Sequence, residues 1–256
     1  MIEKTIFDFQ GLELRVTDTA NEGILNILDH AVQGSEGGMR FSFQNIRERI
    51  AAYKNHIRFI SLYKKNKITA TVGACFRISG EDSLQYPSTF IKYLAFHSLY
   101  QSDIKTRRRK QIKEIRPEPF DSFKPKTLEL FGKPHLLELP DVSENDRHIL
   151  YAFIESMNER AKNLVNQAGF EYIRSFLTVA FSRFNPMPDS RVSKLKEDEI
   201  PEMRTLLRNY YSNYSLFTSE YAFYGNKYYV LKEDGEIIAG VSAIPTSNKE
   251  IGRAHV

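Results

Sequence analysis

The chain has 256 residues, of which 41% are hydrophobic and 27% charged, a length that suits one large domain or two smaller ones. This composition excludes a disordered, collagen-like or coiled-coil protein, and a net charge of +4 is too small by itself to indicate nucleic-acid binding. The single cysteine, Cys75, excludes an intramolecular disulfide and a cysteine-rich zinc site. Because no signal peptide or apolar run long enough to cross a bilayer is present, a cytoplasmic protein without a membrane partner is expected.

The N-terminal part of the chain predicts a mixture of strands and helices. Alternating or β-rich residues predict strands over 12–16, 58–63, 68–76 and 89–96. Apolar residues at helical spacing predict helices over 24–32 and 43–53, the first with cap residues within 17–20. The second and third strands flank a short polar turn and therefore predict a hairpin.

Residues 102–147 combine basic residues with several prolines. A basic helix is predicted over 103–115, ending before Pro117 because the residue before a proline disfavours the helical conformation. Short helical pieces are predicted over 128–131 and 136–139.

The clearest pattern begins with a nearly continuous apolar run at residues 148–155, which is typical of a strand covered on both faces. Ser156 and Glu159 match a capping box that opens a helix. Gly169 stands where a left-handed helix terminator belongs, and residues 170–184 return to a β-rich run. The segment therefore predicts strand, helix and strand in succession.

After residue 188 the pattern of the N-terminal part begins again. Residues 62–74 align without a gap with residues 231–243, and the second hairpin has the strong turn signal Asp234-Gly235. Residues 192–195 and 201–211 repeat the first strand and helix. We predict a complete domain over 1–188 and the opening of a second, similar domain over 189–250.

The last six residues are unusual. Reverse translation of residues 251–256 allows ATC-GGA-AGA-GCA-CAC-GTC, which resembles a common sequencing adapter. The expectation is that these residues, including His255, are not native; the alternative is a genuine flexible tail.

Several kinds of chemistry lack support in the sequence. The histidines are scattered without metal-ligand spacing, so no metal site is expected. No glycine-rich nucleotide-binding loop is present. Cys75 lies in a β-rich run, which favours a buried, inert thiol over a nucleophile.

The residues Asn158-x-x-Ala161-x-x-Leu164-Val165-x-x-x-Gly169-Phe170 resemble a motif of the GNAT superfamily of acyl-CoA-dependent N-acyltransferases. The order of the preceding elements is also similar to that fold. The resemblance implies an α/β (α+β) fold, with a mixed, mostly antiparallel sheet flanked by helices. It also implies transfer of an acetyl or other acyl group from acetyl-CoA or another acyl-CoA to an amine of unknown identity.

The resemblance also implies where the acyl-CoA would bind. In the family the fourth and fifth strands diverge, and the pantetheine arm pairs with the fourth, here the strand that contains Leu94, Ala95 and Phe96. A backbone N–H of this strand could polarise the thioester carbonyl. Asn158 and Ala161 match the helix start that contacts the cofactor arm. Asn158 could equally be a plain helix cap.

The sequence departs from the family in the phosphate-binding segment. The glycine turn expected after the fourth strand is absent, and a basic run over 105–113 follows instead. Gln101, Arg107 and Arg108 are the residues of this segment expected at the phosphates. A solvated basic helix face and a nucleic-acid patch are the alternatives, the latter disfavoured because aromatic residues do not interrupt the run.

A second departure concerns proton transfer. Val165 occupies the position where the family often has a tyrosine that protonates the leaving thiolate. Tyr93, Tyr172, Tyr100 or solvent could supply this proton instead. Glu155 is a candidate general base, as is Glu36 in the loop 34–38, which is expected to border the acceptor. Both departures favour the alternative of a non-catalytic module that supports a partner domain or mediates a protein interaction.

Overall fold

A computed structural model describes residues 3–33, 41–42, 45–80, 85–97, 119–139, 142–156, 158–175, 187–214, 216–219, 222–223 and 228–243. The chain divides into two compact units. The first comprises Met1–Ile78, Tyr86–Ala168 and Ser247–Val256, and the second Ser79–Gln85 and Gly169–Thr246. The predicted boundaries at residues 188 and 250 remain predictions.

The first unit contains eight strands in its described part. In chain order its elements are β1 (Glu3–Phe9), β2 (Leu12–Thr17), α1 (Glu22–His30), β3 (Val32–Gln33), β4 (Phe41–Ser42), α2 (Ile46–Ala51), β5 (Ile57–Lys64), β6 (Lys67–Ser79), β7 (Tyr86–Phe96), α3 (Pro119–Gly132), a 3₁₀ helix (Pro134–Leu137), β8 (Ile149–Ala152) and α4 (Glu159–Gln167). Strands β3 and β4 form a separate two-stranded sheet.

The other six strands form one sheet in the order β1-β2-β5-β6-β7-β8. The pairs β1 with β2, β2 with β5, and β5 with β6 are antiparallel, whereas β7 and β8 are parallel. The mixed, mostly antiparallel sheet flanked by helices confirms the predicted fold class. A parallel pair needs a crossover connection, and here the segment between β7 and β8 contains α3.

One face of this sheet forms the main apolar core. The alternating residues Leu12, Leu14 and Val16 of β2 lie within the core and are almost completely buried, as the period of two in the sequence predicts. The core continues across β5 and β6 and is covered by the segment from α3 to Leu139. The buried residues that this segment contributes are Phe123, Leu130, Leu137 and Leu139.

The structure corrects several predicted boundaries. Asn21, rather than a residue of 17–20, caps α1 through its side-chain oxygen, which accepts from the Ile24 N–H. The second helix begins at Ile46 rather than at residue 43. The strand β1 and the continuation of α3 through Pro125 were not predicted. Propensity alone misses such features because tertiary packing overrides it.

The second unit contains β9 (Val192–Lys194), a 3₁₀ helix (Glu197–Glu199), α5 (Ile200–Tyr211), β10 (Tyr228–Glu233) and β11 (Glu236–Ser242). These strands form an antiparallel sheet in the order β11-β10-β9. The predicted strand, helix and hairpin are therefore confirmed. Met203 of α5 packs on Tyr228, Val230 and Ile237 to form the core of this unit.

The two hairpins share the same internal pairing. Both turns are formed by two residues with positive φ, Lys65 and Asn66 in the first and Asp234 and Gly235 in the second, as favoured two-residue turns require. The corresponding pairs are Leu62 with Ala70, Tyr63 with Ile68 and Lys64 with Lys67, and Leu231 with Ala239, Lys232 with Ile237 and Glu233 with Glu236. Even the irregularity after Leu62 recurs after Leu231.

Replacement of Gly240 by alanine is expected to destabilise the second unit by about 1–3 kcal/mol, the usual cost of overpacking. A Cβ at this position would lie 2.5 Å from Tyr228 Cε1 and 2.7 Å from Met203 Sδ. Gly132→Ala is the matched control, because a Cβ there would meet no atom within 4 Å. Urea unfolding followed through the second unit tests this, and equal stability of the two variants would contradict it.

Among the described residues, no helix is both long and apolar enough to cross a membrane. In the same part of the chain, no group of three or more His, Cys, Asp and Glu side chains is arranged to hold a metal ion. The predicted basic helix over 103–115 and the terminal residues 251–256 lie outside the described residues.

Candidate functional site

The parallel strands β7 and β8 pair over only a short length. The ladder joins Ser88, Thr89, Phe90 and Ile91 to Ile149, Leu150, Tyr151 and Ala152. Beyond this ladder β8 ends, whereas β7 continues to Phe96. The two strands therefore part at their carboxyl ends, the edge at which open sheets with parallel strands place ligands.

The backbone of β7 is distorted just where this separation occurs. Tyr93 has a φ of +57°, a left-handed conformation that is costly for a residue with a bulky side chain. The side chain is only 2% exposed, and its ring centroid lies 6.5 Å from that of Phe59. The surrounding core therefore holds this residue in its strained conformation.

Gly73 on the neighbouring strand β6 leaves room for the distortion. A Cβ at Gly73 would lie 3.1 Å from Tyr93 Cδ2 and 3.3 Å from the carbonyl oxygen of Lys92. Both distances are tight for a carbon contact, so a larger residue would press on the distorted backbone. The glycine is thus required by the shape of β7.

The predicted cofactor-binding residues of β7 follow the distortion. Leu94 is 37% exposed, Ala95 is buried, and Phe96 is partly buried. The His97 N–H donates to the Thr69 carbonyl oxygen at 2.9 Å, which fixes this end of β7 against β6. The structure therefore brings Leu94, Ala95 and Phe96 together at the carboxyl end of β7.

Asn158 caps helix α4, which begins soon after β8. Its Oδ1 accepts from the Ala161 N–H at 3.0 Å, so the cap is Asn158 and not Ser156 as the capping box predicted. With Oδ1 used in this way, the amide Nδ2 is the group of Asn158 suited to donate to a ligand. Gly169 has a φ of +80° just after the helix, as predicted.

The remaining predicted residues are more dispersed. Glu155 lies between β8 and α4 and is partly buried, and its backbone carbonyl accepts from the Asn158 N–H at 3.0 Å. Tyr172 belongs to the second unit, is 79% exposed and shares a hydrogen bond with Ser175 Oγ. Val165 lies on α4 and is partly buried. Gln101, Arg107, Arg108, Tyr100, Glu36 and the loop 34–38 lie outside the described residues.

Lys92, next to the distorted residue, was not predicted as a functional residue. Its Nζ lies 4.9 Å from the ring centroid of Tyr93, 5.6 Å from that of Phe90 and 5.9 Å from that of Tyr53. Burial, followed by repulsion from Arg49 and Arg77, lowers the pKa of Lys92 to about 8. The signal in the sequence was a lysine inside an otherwise apolar strand.

Arg77 on β6 lies against the same aromatic side chains. Its guanidinium carbon is 5.0 Å from the ring centroid of Phe90 and 5.1 Å from that of Tyr151. These two rings stack on each other at 5.2 Å and an angle of 9°. We call Tyr53, Arg77, Phe90, Lys92, Tyr93 and Tyr151 the Lys92 cluster.

Cys75 is buried on β6, as predicted. Desolvation raises the pKa of its thiol to about 12, against the smaller opposing influence of Lys92 and Arg77. The reactive species of cysteine is the thiolate, which is therefore scarce at neutral pH.

A thiol reagent such as Ellman's reagent is expected to leave Cys75 unmodified in the folded protein at pH 8. Both its burial and its raised pKa oppose the reaction. Addition of denaturant should release one thiol per chain, because Cys75 is the only cysteine. Rapid modification before unfolding would contradict this expectation.

No family model and no curated protein matches this chain. Among solved structures it is similar to N-myristoyltransferase of Saccharomyces cerevisiae with bound myristoyl-CoA, at a TM-score of 0.44 and 16% identity over 91% of this chain and 58% of that chain. It is also similar to a transcriptional regulator of Bacillus halodurans, at a TM-score of 0.41 and 12% identity over 66% and 99% of the two chains. A third is glucosamine-6-phosphate N-acetyltransferase of Arabidopsis thaliana, with a TM-score of 0.33 and 12% identity over 54% and 75%. These likenesses are partial, since each TM-score is below 0.5.

Proposed function

We propose that residues 1–188 form an acyl-CoA-dependent N-acyltransferase that transfers an acetyl or other acyl group to an amine. The observation that carries this proposal is the parallel pair β7 and β8, which separates after Ile91 and Ala152 beside the distorted Tyr93. A separation of this kind at carboxyl strand ends provides an opening for an extended ligand. The sequence resemblance assigns the same opening to the pantetheine arm of acyl-CoA.

The residues around this opening fit such a substrate. The resemblance assigns the backbone from Leu94 to Phe96 to hydrogen bonding with the amides of the pantetheine arm, in the manner of an added strand. The Asn158 Nδ2 is a further donor at the start of α4. In the reaction the acceptor nitrogen bonds to the thioester carbon, the carbon–sulfur bond breaks, and CoA leaves as thiolate. A backbone N–H of β7 would stabilise the oxyanion that forms between these events.

Proton transfer requires two further groups under this proposal. The acceptor amine must lose a proton, for which Glu155 remains a candidate, and the thiolate must gain one. Tyr93 is buried in this structure, so it would have to become accessible to act as the acid. Tyr172 or solvent is the alternative.

We propose further that residues 189–250 are the opening of a second domain of the same kind. The identical pairing of the two hairpins supports this proposal, because it extends to the position of the irregularity and to the two-residue turn. In both units a strand pairs antiparallel with the first strand of the hairpin, β2 with β5 and β9 with β10.

Calorimetric titration of the whole chain with acetyl-CoA tests the proposed enzyme. Binding is expected, and absence of binding at about 1 mM ligand, where even weak specific complexes form, would overturn the proposal. Release of CoA in the presence of a panel of amines then separates an enzyme from a module that binds without transfer. Arg107→Ala combined with Arg108→Ala should weaken binding, whereas Arg47→Ala, at an exposed ion pair with Glu22, should not.

Gly73→Ala tests whether the opening at β7 is the binding site. The added Cβ would press on Tyr93 and the Lys92 carbonyl, so acetyl-CoA should bind about tenfold more weakly, equivalent to about 1.4 kcal/mol. Gly132→Ala, which meets no atom within 4 Å, is the control. Unchanged affinity in a folded Gly73→Ala protein would place the ligand elsewhere.

A further inference from the structure

We propose that the Lys92 cluster is a binding site for the carboxylate group of an organic ligand. The six residues of the cluster come from β6, β7, β8 and the turn that follows α2. They place an ammonium and a guanidinium group among aromatic rings, at the region where β7 and β8 separate. This assignment stands on the cluster itself and does not require the proposed acyl transfer.

The first observation is that the Lys92 ammonium faces rings rather than an acid. Its Nζ lies within 6 Å of the ring centroids of Tyr53, Phe90 and Tyr93. Within the described part of the chain, no carboxylate forms an ion pair with it. A partly buried charge is ordinarily paired, because burial without a counter-charge is costly.

The second observation is that other cations surround Lys92. Arg49 and Arg77 both act to disfavour its charge, and Cys75, the group that acts in the opposite direction, carries a neutral thiol near pH 7. Lys92 and Arg77 each lie within 6 Å of the ring centroid of Phe90. Positive charge concentrated in this way attracts an anion, which would also relieve the mutual repulsion.

The third observation concerns the kind of anion. A carboxylate matches the single ammonium of Lys92, because it needs fewer donors than a phosphate dianion. The aromatic surroundings suit a ligand whose body is apolar. Phe153, 62% exposed, lies against Phe90 and Tyr151 with ring centroids 5.1 Å and 6.0 Å away, so the apolar surface continues outward from the cluster.

The site also suggests a substrate class for the proposed function. If acyl transfer occurs at the opening between β7 and β8, a ligand held by Lys92 beside it would be the acceptor. The acceptor would then be an amine that also carries a carboxylate. This extension rests on the proposed function, whereas the carboxylate site can be tested without acyl-CoA.

Benzoate is the probe for this site, since it joins a carboxylate to an aromatic body. The pH dependence of the rate at which Lys92 reacts with acetic anhydride, followed by peptide mass spectrometry, reports the pKa of Lys92. About 20 mM benzoate should raise this pKa by about one unit, because a nearby opposite charge favours the protonated form. Benzamide, which has the same shape without the charge, should not change it.

Calorimetry with the full chain provides the second measurement. Lys92→Met should weaken benzoate binding at least about tenfold, whereas Lys64→Met, at an exposed position of β5, should leave it unchanged. An unchanged pKa of Lys92 in benzoate would overturn the proposal, as would equal binding by both variants. A response to inorganic phosphate but not to benzoate would overturn the carboxylate assignment. Acetyl-CoA binding is measured separately, so either proposal can fail while the other holds.

Discussion

Replacement of Arg58 by methionine is expected to lower the free energy of unfolding of the first unit by about 3–5 kcal/mol. Arg58 lies on β5, is 4% exposed, and donates to four backbone carbonyl oxygens. Its partners are the carbonyls of Asn55, Ile57, Leu137 and Glu138. Methionine keeps much of the volume but removes all of these guanidinium hydrogen bonds.

The reason for the size of this effect is that Arg58 joins distant parts of the chain. Leu137 and Glu138 lie at the end of the 3₁₀ helix that covers the core. No further helical turn follows, so no helical N–H groups donate to their carbonyl oxygens. Burial lowers the pKa of Arg58, with Asp18 and Glu138 opposing it. The guanidinium still stays protonated at every ordinary pH.

Chemical unfolding of three variants tests this prediction. Arg58→Lys should recover only part of the loss, because an ammonium cannot reproduce the planar fork of donors. Arg47→Met is the matched control, since Arg47 forms an exposed ion pair with Glu22 and such pairs contribute about 0–1 kcal/mol. Similar losses in Arg47→Met and Arg58→Met would contradict the assigned role.

Replacement of Lys92 by methionine is expected to have the opposite sign and to raise the free energy of unfolding at pH 7. The pKa of Lys92 falls from 10.5 to about 8 on folding, and each pKa unit corresponds to about 1.4 kcal/mol. The gain should therefore be about 3 kcal/mol in the methionine variant, which has no charge to bury.

The pH dependence provides an independent check. Between about pH 8 and 10.5 the unfolded chain retains the Lys92 proton and the folded chain has lost it, so wild-type stability should increase with pH. Below about pH 8 both states hold the proton and the cost of burying the charge is constant. The difference between wild type and Lys92→Met should thus shrink as pH rises through this window.

Urea unfolding of both proteins at several pH values measures the difference. Groups near Lys92 that also titrate or carry charge are Arg49, Tyr53, Cys75, Arg77 and Tyr93, and they are common to both proteins. Lys64→Met, with an exposed side chain on β5, should change stability little at any pH. A loss of stability in Lys92→Met would show that cation–π contacts outweigh desolvation.

A lysine that lowers the stability of the fold is a stronger indication of function than a lysine that raises it. Natural proteins keep destabilising groups mainly where function uses them, so the cost predicted for Lys92 agrees with its proposed role in ligand binding. Carboxylate binding and stability are then linked, because a bound anion would remove part of the cost.

Much of the secondary structure could be predicted from the sequence because the relevant signals are local. The two hairpins were predicted from polar turns between β-rich runs, and both turns prove to have positive φ at both central residues. The start of α4 lay within two residues of its prediction, although Asn158 and not Ser156 is the cap. Residues 170–175 carry β-rich signals yet form no strand in the structure.

The candidate site was predicted only in outline. The motif from Asn158 to Gly169 and the strand containing Leu94 to Phe96 were identified from residue spacing and resemblance. Lys92 and Arg58 were not identified, because a charged residue in an apolar strand can be understood only from its neighbours. Those neighbours, such as Tyr53 for Lys92 and Leu137 for Arg58, are distant in sequence.

The composition, the hairpins and the capped helix were therefore determined by the sequence alone, because the hairpins and the helix cap depend on residues close together in the chain. The tertiary structure decided the order of the six strands, the parallel pairing of β7 with β8, the left-handed Tyr93 and the burial of Lys92. These features depend on contacts between distant segments, whose energies outweigh local preference. A solvated surface lysine and a carboxylate-binding lysine look alike in sequence, and only burial among aromatic rings distinguishes them.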